Sequence, residues 1–149
     1  MPWQARDPAF AERVRTSFDR QRFMGTLGAR LGRVAAGEVD IELPVADALT
    51  QQHGFVHAGA LASVLDSAAG YAAFTLMPAG AAVLSIEFKL NMLEPARGER
   101  IVARGQVVRS GRTIHVCRAD AVAFAGGRET LVATLQGTMM CVEGRGIRD

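Results

Sequence analysis

Between residues 38 and 43 apolar and charged side chains alternate strictly: Val39, Ile41 and Leu43 fall between Glu38, Asp40 and Glu42. That period of two predicts a strand with one wet face, stopped at Pro44. A shorter strand over Arg30–Ala35, closed by Gly37, precedes it, and the two predict a hairpin. Upstream, Asp7 can cap a first helix with Pro8 at its opening position. Phe10, Val14 and Phe18 then recur every four residues, and that helix is expected to run to about Arg22. The stretch from about Gly59 to Met77 is apolar on all sides and ends at Pro78 and Gly80, which predicts a long helix that must be covered all round. Everything after it reads as sheet. Leu84, Ile86, Phe88 and Leu90 alternate with Ser85, Glu87 and Lys89; Ile101–Arg109, Thr113–Phe124 and Glu129–Val142 predict three more strands. Pro95 with Gly98, Ser110-Gly111 and Gly126-Gly127 mark the turns, and a polar tail from Gly144 is expected to be loose.

Helix, hairpin, one central helix and a four-stranded meander predict a single α+β domain, a size that 149 residues support without disulfide or metal. One antiparallel sheet curled around the apolar helix satisfies the pattern. Such a sheet leaves an edge strand and the start of the helix uncovered, so a second copy of the chain is the expected cover and at least a dimer is expected.

Composition narrows the function classes. Lys and Arg number 17 against 15 for Asp and Glu, a near balance with no field for gripping nucleic acid or an anionic membrane, so an anionic ligand needs a few local arginines. Cys117 and Cys141 are far apart without ligand-like spacing, so neither a zinc site nor a disulfide framework is expected. Met1 to Arg6 lacks the apolar core of a secretory signal, and a cytoplasmic location is expected. Ala58 to Met77 has the length of a membrane span, but Asp66 near its middle and the dominance of Gly and Ala favour a helix buried in protein.

The polar residues that fit no core lie in Gln51-Gln52-His53-Gly54-Phe55-Val56-His57-Ala58-Gly59 and at Asp66. On a helix opening near Gly59, the residues Gly59, Ala62, Ser63, Asp66 and Gly70 form one stripe, which lets a slim substrate or another segment approach the carboxylate. Free N–H groups at the helix start can polarise a carbonyl, and a carboxylate can serve as base or nucleophile; hydrolysis of an ester or thioester needs both. His57 and Asp66, nine residues apart, would point in opposite directions on one helix and cannot form a dyad there. His57 then lies in the preceding loop, or the pair is completed across two subunits. On the residues alone, Asp66 also reads as a structural acid bonded to a strand or an interface arginine, His57 as a fastener of its loop, and Gln51, Gln52 and His53 as ordinary loop polarity.

His57-Ala58-Gly59, then Leu65-Asp66-Ser67 and Gly70, resembles the phenylacetate-degradation (PaaI-type) branch of the hot-dog-fold thioesterases, whose pattern is His-Gly-Gly, a helix, and an acid nine residues after the histidine. The resemblance covers about Met24 to Val142. It implies acyl-CoA hydrolysis without metal or cofactor, with Asp66 as general base or nucleophile, the Ala58 N–H on the thioester carbonyl beside Gly59, and His57 supporting that geometry. Gln51 matches a position where an amide orients water or thioester, and Ser85 one where some relatives carry a water-positioning hydroxyl; a solvated serine on the polar side of its strand is the other reading. Ala58 departs from the usual Gly, which matters only if the backbone there needs positive φ. The resemblance further implies that acid and N–H donor come from different subunits of a homodimer, with pairing of dimers into tetramers common. The basic turn Arg109-Ser110-Gly111-Arg112 resembles the family's contact for CoA phosphates, or is a pair of solvated arginines; Arg97 is a further candidate. Phe55, Leu61, Leu65 and Tyr71 are expected to receive the acyl group between helix and sheet, a lining suited to medium-chain or aromatic groups. The competing functions are an acyl-thioester hydratase or dehydratase of the same fold, a non-catalytic acyl-CoA-binding module and a plain structural dimer.

Overall fold

The computed structural model describes residues 2–147 and 149; the expectations touching Met1 and Arg148 lie outside them. Helix α1 (Phe10–Arg20) and a short α2 (Arg22–Leu27) lead into strands β1 (Arg30–Ala35) and β2 (Glu38–Pro44), the long helix α3 (Ala58–Phe74), and strands β3 (Ala82–Met92), β4 (Arg100–Ser110), β5 (Ile114–Ala125) and β6 (Arg128–Val142). All six strands form one antiparallel sheet in the order β1-β2-β4-β5-β6-β3. The hot-dog architecture implied by the resemblance is present: α3 packs against β2, β3, β4, β5 and β6.

Three expectations need correction. The first helix starts at Phe10, because Asp7 is spent on a turn: its side chain accepts from the Ala9 N–H at 2.9 Å and its carbonyl from the Phe10 N–H at 3.2 Å. The same helix breaks at Gln21, whose ψ of 88° leaves the helical range, and the chain restarts as α2, closed by Gly28 in the left-handed region. The four strands after α3 are not one meander. Only β4, β5 and β6 follow each other in space, while β3 lies beyond β6 at the far edge. A helix of 17 residues is about 25 Å long and carries the chain across the sheet, so the strand after it joins the opposite edge from the hairpin before it.

Helix α3 ends at Phe74, three residues before the expected Met77. Thr75 turns the chain there, its hydroxyl donating to the Ala72 carbonyl and accepting from the Gly37 N–H, both at 2.7 Å. Arg13 of α1 donates to the carbonyls of Phe74 (3.0 Å) and Met77 (2.9 Å) and stacks over the Phe74 ring. A cation thus satisfies carbonyls that the helix end leaves free, and ties the N-terminal helix to α3.

Small residues set the distance between helix and sheet. Ala68, Ala69, Ala72 and Ala73 are fully buried, and a Cβ on Gly105 of β4 would lie 2.2 Å from the Ala68 carbonyl oxygen. Backbone therefore meets backbone, with no room for any side chain at 105. At the far edge the packing is incomplete. On β3, Leu84 (44%), Ile86 (52%) and Phe88 (42%) remain exposed, and no strand pairs its outer edge among the described residues. No helix of the described residues is long and apolar enough to cross a membrane.

Candidate active site

Gly59, Ala62, Ser63 and Asp66 do form the least buried stripe of α3, whereas Gly70, expected on the same stripe, is buried in the wall of the cleft beside Asp66. Asp66 is half-buried, and its Oδ1 accepts a hydrogen bond from the Ser85 Oγ at 2.7 Å. The alternation had placed Ser85 on the polar side of β3 with Glu87 and Lys89, but a bulge intervenes. Ser85 pairs with the buried Met139 whereas Glu87 pairs with Thr138, so one extra residue at Ile86 turns Ser85 to the inner face. Its hydroxyl also approaches the Met139 sulfur at 3.4 Å. Burial pushes the Asp66 carboxyl above the usual carboxylate range, and the Ser85 hydrogen bond opposes that shift by favouring the charged form.

Asp66 and Ser85 open into a cleft of about 400 Å³, walled also by Ser17, Gln21, Ser67 and Tyr71. The Tyr71 hydroxyl shares a hydrogen bond with Ser17 at 3.2 Å. Leu61 and Leu65 are fully buried in the core and line no part of this cleft.

The other expected residues gather in a second, largely apolar cleft of about 440 Å³ lined by Gln51, Phe55, His57, Ala58, Met92 and Leu93, among others. His57 is the N-cap of α3: its Nδ1 accepts from the Gly59 N–H at 2.8 Å, which leaves the proton of the neutral ring on Nε2. A Cβ on Gly59 would come within 3.0 Å of that Nδ1, so glycine makes room for the cap. Ala58 is the first helical residue, does not need positive φ, and its N–H has no acceptor among the described residues. The Gln51 side chain accepts from the His53 N–H, and its backbone N–H donates to the Phe55 carbonyl at 2.8 Å, shaping the loop. Arg97 lies 6.0 Å from the centre of the Phe55 ring.

Arg109 and Arg112 are exposed, and neither forms an ion pair among the described residues. Gly111 closes their turn, its N–H donating to the Ile114 carbonyl at 2.9 Å; a Cβ there would meet that oxygen at 2.8 Å. The turn shares an end of the sheet with Ser85, since Ser85, Met139, His115 and Ser110 form one cross-strand row. Three strand spacings, about 14 Å, separate the ends of that row.

Within one chain, then, acid and free amide are apart. Eight residues of helix put the Ala58 N–H about 12 Å along the axis from Asp66 and some 80° round it, and the two clefts share no lining residue. Sequence reading missed Ser17 and Gln21 in the wall of the acid cleft. Their spacing of four on the first helical segment was the available sign that both face one way.

Comparison with known proteins adds the family. A protein of Halobacterium salinarum is 30% identical over 114 residues, which cover 73% of this chain and 75% of its own. The crystal structure of a thioesterase family protein from Silicibacter pomeroyi superposes with a TM-score of 0.89 at 52% identity, covering 91% of this chain and 99% of that one. The Escherichia coli PaaI protein from the phenylacetic acid degradation operon shares the fold at 20% identity, with a TM-score of 0.82 over 91% of this chain and 94% of its own. Residues 53–130, which hold His57, Asp66, Ser85 and the basic turn, match the family model described as the thioesterase superfamily, and the chain belongs to that superfamily.

Proposed function

We propose that the protein hydrolyses acyl-CoA thioesters to free acid and CoA at a site assembled from two copies of the chain, Asp66 coming from one and the Ala58 N–H from the other. The observation that carries this reading is the half-buried Asp66–Ser85 pair at 2.7 Å in one cleft, while a helix-start amide with no acceptor among the described residues stands in another. The unpaired edge of β3, with Ile86 and Phe88 exposed, is the surface on which the second copy would lie.

In the proposed reaction Asp66 takes a proton from water as the oxygen attacks the thioester carbon, or attacks that carbon itself to form an anhydride that water then opens to free acid. The carbonyl oxygen gathers charge against the Ala58 N–H and the positive end of α3, the C–S bond breaks, and the sulfur leaves as thiol once protonated. His57 holds the helix start through its cap, Gln51 flanks the same cleft, and the exposed Arg109 and Arg112 would meet the CoA phosphates. With Nδ1 spent on the Gly59 N–H, the neutral His57 ring offers Nε2 only as a donor and no free nitrogen as a base, which favours hydrolysis over a hydratase or dehydratase.

The experiment is a panel of acyl-CoAs assayed for thiol release with wild type and Asp66→Asn. Asn keeps the shape and still accepts from Ser85, but it is no base; wild-type turnover in the variant would end the assignment of Asp66. Label found in the Asp66 peptide after turnover in ¹⁸O water would identify direct attack by the carboxylate, because only an anhydride opened at the Asp66 carbon puts solvent oxygen there.

A further inference from the structure

Ser85 of β3 stands between two acceptors. Its Oγ lies 2.7 Å from the Asp66 Oδ1 and 3.4 Å from the Met139 Sδ, and a serine hydroxyl has one hydrogen, so it serves one of them at a time. Met139 of β6 is fully buried and directly opposite Ser85 in the register. Its methyl uses the room left by Gly137, 3.3 Å from where a Cβ there would stand, which fixes the sulfur beside the hydroxyl. Leucine or isoleucine would fill such a core position as well; what methionine adds is a weak acceptor. Asp66 forms no ion pair among the described residues. Around its cleft, Arg20 of α1 is paired with Asp149 at 2.8 Å, and the Tyr71 hydroxyl shares its hydrogen bond with Ser17. Among the buried residues of the six strands only His115, Cys117 and Cys141 can titrate, and His115, across from Met139 on β5, is bonded to Ser110 through Nδ1. Glu87 and Lys89 of β3 are exposed, and Glu87 accepts from Thr138.

We infer that Met139 is a positioning residue whose sulfur accepts the hydrogen bond of the Ser85 hydroxyl whenever Asp66 carries a proton. As a carboxylate, Asp66 accepts from Ser85. As a carboxylic acid it has a hydrogen of its own to give, and the Ser85 oxygen 2.7 Å away is the acceptor already in place. The serine hydrogen must then turn elsewhere, and among the described residues the Met139 sulfur is the other acceptor within reach. In the protonated state the three groups form one chain of hydrogen bonds from Asp66 through Ser85 to Met139. When the proton leaves Asp66 the hydroxyl swings back to the carboxylate, and no proton passes to the sulfur at any stage. The inference rests on the hydrolase reading above, in which Asp66 takes a proton from water, and gives the neutral acid a fixed geometry until it releases that proton. Met139 thereby offsets part of the preference that Ser85 gives to the charged form.

The test follows the Asp66 carboxyl carbon by ¹³C NMR across pH in wild type, Met139→Leu, Ser85→Ala and the double variant. Leucine keeps the apolar fill and removes the sulfur, so the protonated state loses an acceptor and Asp66 should titrate about half a unit lower. In the Ser85→Ala background the same substitution should leave the titration where Ser85→Ala alone puts it, because without the hydroxyl the sulfur has nothing to accept. Looser packing that admits water would instead lower the titration in both backgrounds alike; that result, or no shift in either, overturns the inference. Met139→Ile also lacks the sulfur and serves if Met139→Leu does not fold. The acid limb of kcat/KM for thiol release should move to lower pH by the same amount as the carboxyl titration. No thiol release from any thioester would remove the hydrolase reading, while the NMR comparison would still decide the part played by Met139.

Discussion

The two clefts of this chain differ in almost every respect. The one at Asp66 is polar, walled by the N-terminal helices, and holds a carboxylate whose charge burial disfavours. The one at Ala58 is apolar and ends on an N–H with no acceptor among the described residues. The first offers a carboxylate, and the second an amide at a helix start. The contrast teaches that folding one chain makes both halves of the proposed site without joining them, since about 12 Å of rigid helix stands between. In the proposed two-chain site the helix that separates the halves within one copy also carries one half to each of two places.

The most damaging change to the acid side is Asp66→Asn, expected to lower kcat by about 10²–10⁴-fold in a thiol-release assay. The same variant should melt a few degrees higher. Because the Asp66 carboxyl titrates above its unfolded value, the fold binds the proton more tightly than the unfolded chain does, and ionisation costs stability as pH rises through that window toward neutral. On the amide side, Ala58→Pro removes only the N–H. Ala58 is the first helical residue, where proline fits, and His57 before it is already extended at φ −62° and ψ 139°. A loss of about 10²–10³-fold with an unchanged melting temperature is expected. Mixing these two dead variants then breaks or confirms the division of labour: subunit exchange to a statistical mixture should recover about a quarter of the wild-type sites, whereas a site complete within one chain would recover none.

Ser85→Ala is the milder change, expected to cost about tenfold. The Ser85 hydrogen bond favours the carboxylate, so its loss should move the acid limb of the kcat/KM profile to higher pH. The smallest effect concerns a group outside both clefts. His115 is 1% exposed and titrates below an ordinary histidine value of 6.5, through burial first and Arg6 second. The unfolded chain therefore protonates before the folded one as pH falls below about 6.5, and stability declines from there toward the folded value. Melting curves should show this decline, and His115→Gln should flatten it without altering the pH dependence of turnover.

What was readable in the sequence follows the range of the interaction concerned. β1, β2 and the strands after α3 were visible to within about two residues because alternation is a local property. The pairing of β3 with β6 was not, since it joins residues some fifty positions apart across a helix that the pattern shows only as apolar. The acid stripe on α3 was legible from helical spacing, and so was the incompatibility of His57 with Asp66. The inward turn of Ser85 was hidden: nothing about Ile86 announces a bulge, which exists only against the opposing strand. Likewise the break at Gln21 carries no proline or glycine, and with it went the view of the cleft's outer wall.

Gly105 sits two strands inward from the outermost edge and far in sequence from Asp66, yet it governs the height at which that carboxylate rides. Its bare Cα lets β4 touch the Ala68 carbonyl, two residues past the carboxylate. Even a methyl there would jack the helix off the sheet and stretch the reach from Asp66 to Ser85, which belongs to a different strand and would not follow. The tolerance of the Asp66–Ser85 pair is thus machined at a site that touches neither member, and a search for changes that part the two would meet Gly105 among positions that look like plain sheet.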